Sequence, residues 1–174
     1  MSSTAARSSR PDDVREPLFT ETLQVALIVR DLDAAMRTYF DEYGIGPWSV
    51  YEFDSDNVRD MRSRGEPVAW SWRLAVAQVG QVQWELIEPL DEESIYARFL
   101  AETGGGLHHV GVAVAGFDET VTAQAERGNG VLLGGEYKGI RFAYLDTVRD
   151  LGFVTEIFSG APGEDQQPDA TYPA

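Results

Sequence analysis

The sequence predicts an α+β fold of two tandem βαβββ modules forming a curved, half-closed barrel around a central cleft. Three observations carry this. Strand-like alternation gives way to helical spacing twice, in LQVALIV then RDLDAAMRTYFDEYG, and again in HVGVAV then AGFDETVTAQAERG. Val25, Leu27, Val29, Leu32 and Asp33 match Val110, Val112, Val114, Phe117 and Asp118, each 85 positions later, a sustained offset that marks an internal duplication. After each helix come three short strand-like runs: WSVYEF, AWSWRLAVAQV and VQWELIEP in the first half, VLLGGEY, IRFAYLD and FVTEIF in the second.

The first helix carries Leu32, Ala35, Met36 and Tyr39 at helical spacing and stops at Gly44; the second carries Phe117, Val121 and Ala125 and stops at Gly128. Between the halves, DEESIYARFLAETGGG reads as a linking helix with Ile95, Phe99 and Leu100 apolar and a glycine run closing it. The modules then span residues 19–90 and 106–160, joined by 91–105. Residues 1–18 and 161–174, rich in Ser, Pro, Asp and Gln, read as a disordered N-terminal tail and a flexible C-terminal tail. A βαβββ unit covers one sheet face with its helix, so the two uncovered faces should pair around a cleft, the natural place for a small-molecule substrate.

Composition narrows the chemistry. A formal charge of -15 argues against a nucleic-acid surface, which needs clustered Lys and Arg. No apolar run is long enough to cross a bilayer and the N-terminus lacks a signal-peptide core, so the expected setting is cytoplasmic, with no membrane partner. Without cysteine, any metal must be held by His, Asp, Glu, Gln or water.

Strand parity selects the candidate ligands. In the first strand Val25, Leu27 and Val29 suit the helix, which leaves Gln24, Ala26 and Ile28 on the cleft face. In the equivalent strand Val110, Val112 and Val114 lie under the helix and His109, Gly111 and Ala113 face the cleft, so His109 is chosen over His108, which should face away as a structural residue. Small Gly111 and Ala113 leave room above His109. The last strand of each half holds one carboxylate among apolar residues, Glu85 and Glu156, and a charge there is costly to bury unless paired or bound to a metal. Taken singly, Gln24 reads as a polar strand-end residue, either glutamate as an edge-strand group facing solvent, and His109 as a hydrogen-bonded structural histidine. Their equivalent positions in a duplicated unit favour one shared site.

The runs LQVALIVRDLDAAMRTYFDEYGIGPW, VQWELIEPLDEES, GLHHVGVAV and YLDTVRDLGFVTEIF resemble the vicinal-oxygen-chelate superfamily over about residues 21–159, which includes glyoxalase I, methylmalonyl-CoA epimerase, extradiol dioxygenases and bleomycin-resistance proteins. The likeness to the epimerase branch is strongest in EPLDEESIYARFLAETGGGLHHVGVAV, where the family motif uses the second histidine as a ligand. The resemblance implies a metal site at Gln24, Glu85, His109 and Glu156, a set similar to one found among glyoxalase I enzymes, whereas epimerases usually carry His at the first position. Two carboxylates, an imidazole and an amide oxygen suit a divalent ion such as Zn, Co, Ni, Mn or Mg. Ile28 stands where glyoxalase I enzymes commonly place a glutathione-binding Arg, and VAWSWRLAVAQV offers no carboxylate for the second acid/base of the epimerase branch. The resemblance also implies homodimerisation.

The chemistry implied is metal-assisted proton transfer beside a carbonyl of a small acyl or keto substrate, with Glu156 or Glu85 moving the proton, as in an isomerase, epimerase or lyase. Trp48, Trp70, Trp72 and Arg73 are the expected substrate-pocket residues. Plain core packing is the competing reading of the tryptophans. A rival for the whole chain is a non-catalytic protein that sequesters a small molecule in the same cleft. An iron dioxygenase is set aside, because its facial set needs two histidines and only His109 is available.

Overall fold

The computed structural model describes residues 17–160 and 167–173. In the first module, β1 (Glu21–Ile28) leads through α1 (Leu32–Tyr43) to β2 (Trp48–Phe53), β3 (Val58–Ser63), β4 (Glu66–Pro67), β5 (Trp72–Val79) and β6 (Val82–Pro89). The linking helix α2 (Ile95–Thr103) precedes β7 (Gly106–Ala113), α3 (Phe117–Glu126), β8 (Val131–Tyr137), β9 (Ile140–Leu145), α4 (Val148–Leu151) and β10 (Val154–Ser159), and β11 (Ala170–Tyr172) follows.

Local chemistry sets the helix ends: the glycine stops expected for α1 and α2 are observed, whereas α3 ends at Glu126 with Arg127, not Gly128, as its C-cap. The Asp31 side chain caps α1 by accepting from Ala34 N at 2.8 Å, and Gly44 ends it in the left-handed region at φ 67°. Ser94 caps α2 in the same way through Ala97 N at 3.1 Å.

All eleven strands form one curved sheet in the order β11-β2-β5-β6-β1-β7-β10-β9-β8-β3-β4. The four strands of one module, β2-β5-β6-β1, meet the mirrored order β7-β10-β9-β8 of the other at an antiparallel β1–β7 seam. Val25 pairs with Val110 there, and the flanking pairs Gln24–Gly111 and Ala26–His109 exchange under the 85-residue offset. A pseudo-twofold axis therefore passes through the Val25–Val110 pair, the structural imprint of the duplication.

The parity argument holds on both sides of the seam. Leu27 and Val29 pack with Leu32 and Met36 of α1, and Val110, Val112 and Val114 pack with Phe117 and Val121 of α3. The opposite faces build the largest cluster, which includes Ala26, Ile28, Trp72, Leu74, Ile87, Phe142 and Tyr144. Among the described residues no helix is long and apolar enough to cross a membrane.

Three features depart from the sequence reading. The run Val58–Pro67 forms β3 and β4, and β3 leaves its own module to pair with β8 of the other, through Val58–Tyr137 and Arg59–Glu136. The short α4 is also additional. The predicted flexible tail holds a strand: β11 extends the sheet at β2 with Thr171 opposite Ser49, and Asp169 accepts from Glu52 N at 2.9 Å. These non-local pairings satisfy backbone groups on the β2 and β8 edges. The remaining tail expectations, for 1–16 and 161–166, fall outside the described residues.

Candidate metal centre

Two rows of the sheet build the centre. In one, Ala26 stands between Glu85 of β6 and His109 of β7; in the other, Gly111 stands between Gln24 of β1 and Glu156 of β10. Ala26 and Gly111 are themselves equivalent under the duplication, and each is small where a larger side chain would keep its neighbours apart. A Cβ on Gly111 would lie 2.9 Å from Gln24 Cβ and 3.0 Å from a Phe158 ring carbon, so only glycine fits without displacing them.

The result is a buried cluster. His109 Nε2 lies 3.1 Å from Glu156 Oε2 and 3.3 Å from Glu85 Oε2, and one ligand atom from each residue falls within 4.8 Å of the others. Gln24 is also buried, and its Nε2 donates to Gln83 Oε1 at 3.0 Å, which turns its own Oε1 free of that bond. Among the described residues, Gln24 Oε1, Glu85 Oε2 and His109 Nε2 have no hydrogen-bond partner: the imidazole is within ion-pair distance of both carboxylates but not aligned with either. Buried polar atoms are ordinarily satisfied, and these are the electron-pair donors of the expected ligand set. A divalent cation fits the two carboxylates and the imidazole, and Gln24 lines the same cavity as the two carboxylates.

Without a metal a proton serves in its place. Burial pulls His109 down, but the charge and hydrogen-bonding capacity of Glu156, then of Glu85, outweigh it and raise the imidazole to about 9. Burial raises Glu156, against the opposing pull of His109. Metal and proton thus compete for His109.

His108 corrects the sequence reading. Pairing passes from Ala26–His109 to Leu27–Leu107, so His108 is the extra residue of a β-bulge. The bulge breaks strict alternation, and instead of facing away His108 brings its Nδ1 to 2.9 Å from His109 Nδ1. It is buried, with its ring edge-to-face against Tyr96 and Phe99, and burial followed by the charge of His109 lowers it to about 3. A neutral His108 accepts the His109 Nδ1–H, which leaves the His109 Nε2 lone pair directed at the cluster.

The centre opens into a cavity of about 410 Å³, to which β2, β5, β6, β9 and β10 contribute residues of one sheet face. Tyr51, Phe53 and Trp72 come from the first module; Tyr137, Phe142 and Phe158 come from the second. Phe53 stacks on Trp72 at 5.2 Å and touches Tyr137 at 4.4 Å between centroids, joining the two walls. Tyr144 lies beside the centre, its ring edge-to-face with His109 at 4.8 Å, and burial followed by the Glu156 charge holds its phenol well above the usual tyrosine value.

Of the expected pocket residues, only Trp72 lines this cavity. Trp48 lies on the other face of β2, fully buried beneath α1 with Leu32 and Met36. Trp70 precedes β5 and packs in the large core, with Arg98 5.9 Å from its ring centroid. Arg73 points away from the cavity and pairs with Asp33 at 3.2 Å, Glu88 at 3.4 Å and Glu52 at 3.6 Å. Residues the sequence reading missed, such as Gln83 and Tyr144, share strand parity with Glu85 and Phe142, which is the signal that identifies them.

The fold and the centre define a two-module β-sheet protein with a buried Glu85–His109–Glu156 group, able to hold a metal ion, at its pseudo-twofold seam. The Glyoxalase/Bleomycin resistance protein/Dioxygenase superfamily model matches residues 23–144, and the chain belongs to that superfamily. Among solved structures, a variant of Streptomyces coelicolor methylmalonyl-CoA epimerase in complex with 2-nitronate-propionyl-CoA is 22% identical, with TM-score 0.61 over 82% of this chain and 99% of that one. The Mycobacterium tuberculosis methylmalonyl-CoA epimerase is 23% identical, with TM-score 0.59 over 87% and 95%. A hypothetical protein of Bacillus halodurans is 20% identical, with TM-score 0.63 over 83% and 98%. No curated protein matches the sequence.

Proposed function

We propose that the protein is a metal-dependent, epimerase-like isomerase that moves a proton on the carbon beside a carbonyl of a small acyl or keto substrate. The observation that carries this reading is the buried Glu85–His109–Glu156 cluster, whose two carboxylates line an aromatic-walled cavity. Superfamily membership and the shared fold of the epimerases support it. A cavity for sequestration alone has no need of two buried carboxylates around one imidazole.

Gln24 Oε1, Glu85, His109 Nε2 and Glu156 would hold the ion. When bound, a divalent ion supplies Lewis acidity that lowers the cost of negative charge developing on a carbonyl oxygen. His108 keeps the His109 Nε2 lone pair on the cluster side. The aromatic walls exclude water from the reacting carbon and hold the substrate against Glu85 and Glu156. Glu156, which lines the cavity, would take the proton once it is no longer held by the ion, because a carboxylate held on a divalent cation is a weak base. Glu85 is the other carboxylate on the cavity wall, so removal and return of the proton fall to these two groups. Glu52, on β2, faces outward to Arg73.

Deuterium uptake from heavy water tests the reading. With Zn, Co, Ni or Mn supplied, the α-position of at least one acyl-CoA or 2-keto substrate should exchange. No exchange across such a panel, with the metal bound, contradicts it.

A further inference from the structure

We infer that the substrate is an uncharged aromatic carbonyl compound, its ring held against the aromatic lining of the cavity and its carbonyl oxygen toward Glu85 and Glu156. This deepens the proton-transfer reading and rests on it for the placement of the carbonyl. Two observations carry the substrate class.

The first is the wall. Tyr51, Phe53, Trp72, Tyr137, Phe142 and Phe158 all line the cavity, with Phe53 and Tyr137 in contact where the two modules meet, so the lining offers π surfaces from both modules, which favour a flat ring in stacked or edge-on contact. Short aliphatic substrates would leave much of that surface unfilled. The second is charge. No Lys, Arg or His is among the described residues lining the cavity, whereas Glu85 and Glu156 are. Arg73, the cation expected there from sequence, is on the opposite sheet face and engaged by three carboxylates, and the exposed Lys138 sits over the Tyr137 ring, 5.2 Å from its centroid, without lining the cavity. Two carboxylates formally cancel a divalent ion, so the loaded centre gains no net positive charge either. A substrate with a free carboxylate would bury it without a counter-charge.

Three probes separate these features: 2-hydroxyacetophenone has the ring and adjacent oxygens without charge, hydroxyacetone lacks the ring, and mandelate keeps the ring but adds a carboxylate. Binding is measured by calorimetry on protein dialysed against Zn and on chelator-treated protein. The expected result with Zn is that 2-hydroxyacetophenone binds at least about tenfold more tightly than either of the others. Phe53→Ala, checked for an unchanged fold by circular dichroism, should weaken 2-hydroxyacetophenone about tenfold and leave hydroxyacetone unchanged. Hydroxyacetone or mandelate binding as tightly as 2-hydroxyacetophenone overturns the class, as does failure of all three to bind. Exchange of the 2-hydroxyacetophenone methylene protons in heavy water is followed separately by NMR. Tight, selective binding without exchange upholds the class and counts against the proton-transfer reading.

Discussion

The Nδ1 atoms of His108 and His109 lie 2.9 Å apart, although the residues are adjacent on one strand. The bulge at His108 makes this possible, and it turns a residue with no direct place at the cluster into the group that orients the His109 ring. His108→Phe keeps the packing against Tyr96 and Phe99 but removes the acceptor. Metal affinity, measured by chelator competition, should fall about 10- to 100-fold. An unchanged affinity would show that the contact is packing alone.

The metal-free protein should lose stability as pH rises. His109 stands at about 9 in the fold against its ordinary value of 6.5, so protonation favours the folded state. That contribution is complete below pH 6.5 and disappears as pH rises through 9. Glu156 is also raised and has the same sign. The Tm of chelator-treated protein should therefore fall across that window, while stabilisation by added metal grows because the His109 proton no longer competes. A flat profile in the parent, or a slope that persists unchanged in His109→Asn, would contradict the coupling.

Glu156→Gln should reduce α-proton exchange at least about 100-fold, even at metal concentrations that restore full occupancy. Exchange retained at saturating metal would move the base elsewhere on the cavity wall.

Gly111→Val tests the spacing of the second row. The new side chain must push aside Gln24 and Phe158, with a cost of about 1–3 kcal/mol from overpacking and a weaker metal site. Thermal melts with and without metal would show both effects; a variant as stable and as metal-responsive as the parent would refute the close fit.

Much of the centre was legible because strand parity is a local property. Val25, Leu27 and Val29 mark the helix side of β1, which leaves Gln24 and Ala26 on the cavity side, and the offset to Val110 transfers the same logic to His109. Parity fails where the ladder is irregular. His108 is a bulge residue, and the bulge arises from the pairing with β1, which the run LHHV does not disclose. Trp48 was misplaced for a different reason: aromatic character marks a pocket or a core equally, and only the alternation along β2, with Tyr51 and Phe53 inward, separates them. The β3 and β11 strands were hidden because their partners, β8 and β2, are far away in the chain and their own runs are polar or short.

Metal content tests the account's central claim most directly. After dialysis against Zn, Co, Ni or Mn and removal of free ion, elemental analysis should find about one ion per chain with at least one of these metals, a raised Tm, and loss of both in His109→Ala. Substoichiometric metal with all four, and no change in Tm, would contradict a metal centre at Gln24, Glu85, His109 and Glu156.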